Sequence, residues 1–139
     1  MNPNDAANEP QRPRRVLAIE DNEDFAQLFR HILEIMGCEL DVASDAKTGL
    51  ELAHKSVPSL IFCDLRLPGE MDGFDFARAL RADSTLRHIP LVGVSGYSGP
   101  EYREQAIAAG FDRLLPKPVK FGDIQEALNT FSAGMRPGH

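Results

Sequence analysis

Ser59-Leu60-Ile61-Phe62-Cys63-Asp64 is a short, continuously apolar run that ends on an acid. A strand buried on both faces reads this way, because neither side of the pleat meets water. Leu67-Pro68-Gly69 follows as a turn signal, so Asp64 is expected where the chain leaves the sheet. In open α/β folds that carboxyl edge carries the binding sites.

Working outward, apolar runs alternate with helical periodicity five times. Val16-Leu17-Ala18-Ile19 reads as the first strand, and Leu40-Asp41-Val42-Ala43 as a weaker second. Pro90-Leu91-Val92-Gly93-Val94 reads as the fourth, and Phe111-Asp112-Arg113-Leu114-Leu115 as the fifth. Between them Phe25, Leu28, Phe29, Ile32, Leu33 and Met36 recur at helical spacing, with Gly37 suited to the C-terminal cap. Ala46, Leu50 and Ala53 mark a helix after Ser44, and Phe74, Ala77 and Leu80 one after Asp72-Gly73. Ser98-Gly99-Pro100-Glu101 reads as a helix start, with Pro in the first turn and Glu three residues after Ser, and that helix ends at Gly110. Phe121, Ile124, Leu128 and Phe131 mark the last helix. Five β-α units predict a parallel sheet covered on both faces, doubly wound and flavodoxin-like, with strand order 2-1-3-4-5.

The chain has 139 residues and a formal net charge of -6, enough for one domain and unfavourable for non-specific binding to nucleic acid or an anionic membrane. No run reaches membrane-spanning length and no apolar leader opens the chain, so a cytoplasmic protein is expected. Residues 1–13 read as a disordered arm, 14–133 as the domain and 134–139 as a flexible tail. Cys38 and Cys63 read as reduced, buried thiols, and the four histidines are too scattered to suggest a metal site.

The residues closing each strand make a chemical set. Glu20 and Asp21 follow the first, Asp64 ends the third, Ser95 and Gly96 follow the fourth, and Lys117 follows the fifth between Pro116 and Pro118. Each has an ordinary reading alone: Glu20-Asp21-Asn22 as an acidic helix cap, Asp64 as a loop acid, Ser95 as a strand-end serine, Lys117 as a solvated lysine. On successive strand ends they converge. Clustered carboxylates repel and require a cation, and hard oxygen ligands suit Mg²⁺ or Mn²⁺. An ammonium and a hydroxyl can grip phosphoryl oxygens, and a carboxylate can itself become an aspartyl phosphate.

Val16-Leu17-Ala18-Ile19-Glu20-Asp21-Asn22, Ile61-Phe62-Cys63-Asp64, Met71-Asp72-Gly73, Val94-Ser95-Gly96 and Lys117-Pro118, at close to the usual separations, resemble the response-regulator receiver domain of two-component signalling. The resemblance covers nearly the whole chain between the terminal segments. It implies Asp64 as phospho-acceptor, Asp21 as direct metal ligand, Glu20 as an acid acting through water, and the Arg66 backbone carbonyl as a further ligand. It implies Ser95 as the hydroxyl that follows the phosphoryl group, Gly96 as the small residue leaving access, Lys117 as the phosphate-binding lysine, and a cis bond before Pro118. The implied donor is a phosphohistidine on a sensor histidine kinase or phosphotransfer protein, and the implied form a monomer or weak dimer. Arg66 and Tyr97 flank the expected path of attacking water, so slow self-dephosphorylation is expected.

Two positions depart from the family. The segment from Leu65 to Gly73 is one residue longer than usual, which implies a shifted loop. Leu114 stands where an aromatic residue or histidine usually reports phosphorylation, with Tyr97 and Tyr102 as substitutes or as ordinary surface aromatics. Competing readings are a receiver-fold binding module that signals without phosphate, and a metal-dependent phosphatase. The latter usually carries a second Asp where this chain has Arg66. With no phosphate-binding glycine loop and no room for an effector domain after residue 133, output by protein contact or onward relay is expected.

Overall fold

The computed structural model of the protein describes residues 14–96 and 99–131. The expected arm over 1–13, the tail over 134–139, Tyr97 and Ser98 lie outside the described residues.

Five parallel strands form one sheet: β1 (Arg15–Ile19), β2 (Glu39–Ala43), β3 (Leu60–Asp64), β4 (Leu91–Ser95) and β5 (Arg113–Pro116). Their order is β2-β1-β3-β4-β5, as expected from the sequence. Hydropathy explains who stands where. Every residue of β3 and β4 is buried, and β1 is buried from Val16 onward. The mixed sequences of β2 and β5 occupy the two edges, where partly exposed positions cost little.

The helices are α1 (Glu23–Ile35), α2 (Ala46–Ser56), α3 (Gly73–Ala82), α4 (Pro100–Ala109) and α5 (Phe121–Thr130). Alternation along the strands divides the core. Val16, Leu60, Phe62, Val92, Val94 and Leu115 face α1 and α5. Leu17, Ile19, Ile61 and Cys63 face α2, α3 and α4. Phe29 of α1 meets Phe62 of β3 with ring centroids 5.3 Å apart, which anchors α1 to the sheet centre.

Element boundaries differ in places from the sequence reading. α2 starts after Ser44 as expected, and Asp45 caps it, its carboxylate accepting from Thr48 N at 2.7 Å. α4 opens on Gly99 with no side-chain cap bond, and Pro100 supplies the first-turn geometry; Ser98 of the expected start lies outside the described residues. β4 lies one residue later than expected, leaving out Pro90 and taking in Ser95, whose carbonyl accepts from Lys117 N at 2.9 Å. β5 starts two residues late, because Asp112 is committed elsewhere: its carboxylate binds Arg81 and the Leu91 N–H. Gly37, at φ 79, takes the left-handed position just past α1, as the sequence suggests.

Cys63 is fully buried, but Cys38 is only half-buried, on the rim between α1 and β2. Both are free thiols, and burial pushes both up from the ordinary cysteine range.

One close approach sets the site. A Cβ on Gly73 would collide with the Asp64 carbonyl oxygen and lie 2.6 Å from Leu65 Cα. The Gly73 N–H donates to Leu65 O at 3.1 Å. The absent side chain therefore lets the start of α3 sit directly on the end of β3. This closes the longer loop back onto the strand that carries Asp64.

Candidate functional site

Glu20 follows β1, Asp64 ends β3 and Lys117 follows β5, so parallel pairing brings all three to the carboxyl edge. Lys117 Nζ donates to Asp64 Oδ2 at 2.7 Å and lies 3.0 Å from Glu20 Oε1. The second contact is an ion pair without hydrogen-bond geometry. Among the described residues none donates a well-directed hydrogen bond to Glu20 Oε1, which is fully buried. The other carboxylate oxygens are oriented by backbone: Asn22 N donates to Glu20 Oε2 at 3.2 Å and Arg66 N to Asp64 Oδ1 at 2.9 Å. Asn22 also caps α1 by accepting from Phe25 N at 3.1 Å. The acidic segment thus divides its labour: Asn22 caps the helix, Glu20 turns inward and Asp21 stays exposed.

Glu20, Asp21 and Asp64 each offer an oxygen within 4.8 Å of the others, the only such group of potential ligands among the described residues. Glu20 and Asp64 are 3% and 6% exposed. Removal from water pushes the Glu20 carboxyl up to about 7, with the Asp64 charge adding to the rise and Lys117 opposing it. Burial pulls the Lys117 ammonium down, but its hydrogen bond to Asp64 and the nearby Glu20 carboxylate outweigh this and leave it above the ordinary lysine value. Three carboxylates, one orphaned buried oxygen and a single ammonium fit a hard divalent cation bound through oxygen.

The remaining expected residues fall in different places. Ser95 is buried at the end of β4, one residue past Val94, the register partner of Asp64. Gly96 is exposed, and a Cβ there would meet nothing within 4 Å. The Lys117-Pro118 bond is cis, as the resemblance implies. Leu114 does not face the acids. It lies opposite Gly93 in the β4–β5 register, and a Cβ on Gly93 would come within 2.5 Å of Leu114 Cδ2. Leu114, Ser95 and Arg103 help to line a cavity of about 440 Å³ beside the end of β4.

One neighbour went unread in the sequence. The Phe25 ring lies under Lys117, with Nζ 4.6 Å from its centroid. Its place in the first helical turn directly after the acids is the one available signal, but the residue also fits the periodic apolar set of α1.

A doubly wound parallel sheet with clustered acids and a lysine at its carboxyl edge defines a class of small signalling domains. The chain belongs to the response regulator receiver domain family, whose model matches residues 16–129. It is 30% identical over 119 residues to the polar-differentiation response regulator DivK of Brucella anthropi, covering 86% of this chain and 96% of that one. It is 35% identical over 105 residues to the response regulator PleD of Caulobacter vibrioides, covering 76% of this chain but 23% of PleD. Among solved structures, chemotaxis response regulator CheY4 of Vibrio cholerae superposes with TM-score 0.80 at 28% identity, over 86% of this chain and 98% of that one. The receiver domain of sensor histidine kinase PA1611 from Pseudomonas aeruginosa, described with magnesium coordinated in its active-site cleft, superposes with TM-score 0.80 at 25% identity, over 87% of this chain and 98% of that one. Membership places the chain in two-component signalling, where receiver domains act with histidine kinases or phosphotransfer proteins. Among the described residues no helix is long and apolar enough to cross a membrane.

Proposed function

We propose that the chain accepts a phosphoryl group on Asp64 from a phosphohistidine of a histidine kinase or phosphotransfer protein, and signals or relays through protein contacts. One observation carries the reading: a single ammonium, Lys117 Nζ, held 2.7 Å from Asp64 Oδ2 and 3.0 Å from Glu20 Oε1 at the carboxyl edge of the sheet. An Asp64 oxygen forms the new bond to phosphorus as the phosphorus–nitrogen bond of the donor breaks, its electron pair leaving on the imidazole. Arg66 N–H holds Asp64 Oδ1 and so orients the carboxylate. Lys117 transfers its hydrogen bond to a phosphoryl oxygen, and the Ser95 hydroxyl is a second donor for that group. Glu20, Asp21, Asp64 and the Arg66 carbonyl would hold Mg²⁺ or Mn²⁺, which neutralises the charge carried by the transferring group. Gly96 leaves the approach open, and Arg66, with Tyr97, slows the return attack of water.

Exposure to a small phosphodonor with Mg²⁺ is expected to raise the intact mass by one phosphoryl group, and Asp64→Asn to abolish the gain. An unmodified parent, or modification that survives the substitution, would contradict the assignment. Leu114 seated over Gly93 favours a second reading, a receiver-fold module that signals without phosphate. In that case the phosphodonor leaves the protein unmodified.

Burial of Glu20 gives the cation site a pH signature. With its carboxyl at about 7, Glu20 carries a proton below that pH, and the proton must leave before a cation binds. Apparent Mg²⁺ affinity is therefore expected to fall with falling pH, approaching tenfold per unit below about pH 7. Glu20→Gln is expected to weaken binding and flatten this dependence. Calorimetric titrations at several pH values check it, and equal affinity on both sides of pH 7 in the parent would refute it.

A further inference from the structure

Among the described residues, the Lys117 ammonium meets the Asp64 carboxylate, the Glu20 carboxylate and the Phe25 ring, whose centroid is 4.6 Å from Nζ. The two carboxylates depend on the state of the site. When Asp64 carries a phosphoryl group, the acyl-phosphate linkage removes the carboxylate charge that now attracts the lysine. Glu20 is shared with the cation site, so its hold on the lysine weakens as a cation takes its charge. The ring alone is indifferent to both events. Its quadrupole attracts an ammonium whether or not the acids are occupied.

The ring is also firmly placed. Phe25 N–H is tied to the Asn22 cap, and one turn on, Phe29 is packed against Phe62 in the sheet. A rigid helix therefore presents a half-buried aromatic face to a flexible side chain. Resting on the functional reading above, we propose that Phe25 is a positioning residue for Lys117. Its ring keeps the ammonium in reach of the phosphoryl oxygens while the carboxylate contacts exchange.

The test uses acetyl phosphate as donor, which needs no docking surface. The Asp64 oxygen–phosphorus bond forms as the donor's phosphorus–oxygen bond breaks, and acetate leaves with the electron pair. Phe25→Leu is expected to slow uptake about fivefold at saturating Mg²⁺, in the range of a partly desolvated cation–π contact. Phe25→Tyr, which keeps the face, is expected to hold the rate within about twofold of the parent. Mg²⁺ affinity is expected to stay unchanged in both variants. In a Lys117→Ala background Phe25→Leu is expected to add nothing, because the partner is gone. Equal slowing in that background, failure of tyrosine to rescue, or a parental rate for leucine each overturns the proposal.

A measurement without phosphate separates this inference from the functional reading. The Lys117 ε-methylene protons are expected to resonate upfield in the parent, shielded by the ring, and to lose that shift in Phe25→Leu. An unshifted parent signal overturns the ring contact. A shifted signal in a protein that takes up no phosphoryl group overturns the functional reading instead.

Discussion

Replacing Lys117 with alanine is expected to destabilise the metal-free protein by about 3 kcal/mol at mildly alkaline pH and to slow phosphoryl uptake roughly 10²- to 10³-fold. The ammonium stands between two carboxylates that are 3% and 6% exposed, so its loss leaves buried negative charge uncompensated. Breaking one side of a buried pair costs more than the pair contributes over apolar replacements. The pH dependence follows from Glu20. Its folded carboxyl lies at about 7, above the ordinary glutamate value of 4.5, so the native state binds more protons than the unfolded chain between those values. Stability attributable to this group is present below the ordinary value and is lost as pH rises through about 7. Lys117 holds Glu20 down; without it the carboxyl rises further, and the penalty of the substitution grows with pH. Mg²⁺ replaces the missing positive charge, so it is expected to stabilise the variant more than the parent. Denaturant unfolding below and above pH 7, with and without Mg²⁺, checks the three stability expectations, and uptake from acetyl phosphate checks the rate. An alanine variant as stable as the parent at alkaline pH, or equal Mg²⁺ stabilisation of both, would show that the acids do not depend on the lysine.

Different residues made different parts of this molecule legible. The run from Leu60 to Asp64 announced a central strand because a strand buried on both faces carries no alternation, and β3 is buried throughout. The acids and Lys117 were legible because parallel strands deliver their ends to one edge, so order along the chain became proximity in space. Phe25 was not, since a ring stacked under a lysine and a ring in a helix core obey the same periodicity. Leu114 stood out as a departure, but its partner did not. Gly93, opposite it in register, is small because Leu114, Phe111 and Leu65 crowd the place its Cβ would take. The start of β5 was misread because Asp112 looks like an ordinary strand or loop acid, and the arginine that claims it lies 31 residues away.

That arginine carries the other large effect. Arg81→Ala is expected to cost about 3–5 kcal/mol and lower Tm by roughly 10 °C or more, without altering the metal or phosphoryl chemistry of the site. Arg81, near the end of α3, reaches the opposite edge of the sheet from Asp64. Its Nη2 donates to Asp112 Oδ2 at 2.9 Å, its Nε to Gly110 O at 2.9 Å, and its Nη1 to Ile89 O at 2.7 Å and Arg87 O at 2.9 Å. Asp112 Oδ2 also accepts from Leu91 N at 2.9 Å, so one guanidinium and one carboxylate bind together the entries to β4 and β5. The side chains are 13% and 7% exposed. Alanine would therefore leave a buried carboxylate and the carbonyls of two buried residues, Ile89 and Gly110, without this donor, the costly side of the hydrogen-bond asymmetry. Lysine is expected to rescue little, because a compact ammonium cannot reproduce donors spread over a planar fork. Gly110 belongs to the same device: at φ 123 it takes a conformation few side chains adopt, and a Cβ there would lie 2.6 Å from Arg81 Cγ. Gly110→Ala is thus expected to destabilise by the same route, pushing the arginine off its acceptors. Thermal unfolding of Arg81→Ala, Arg81→Lys and Gly110→Ala, beside phosphoryl uptake measured well below their midpoints, separates the two edges. Stability near the parent's in Arg81→Ala would refute the latch. Lost uptake in a folded Arg81→Ala would show that the two edges of the sheet are coupled rather than independent.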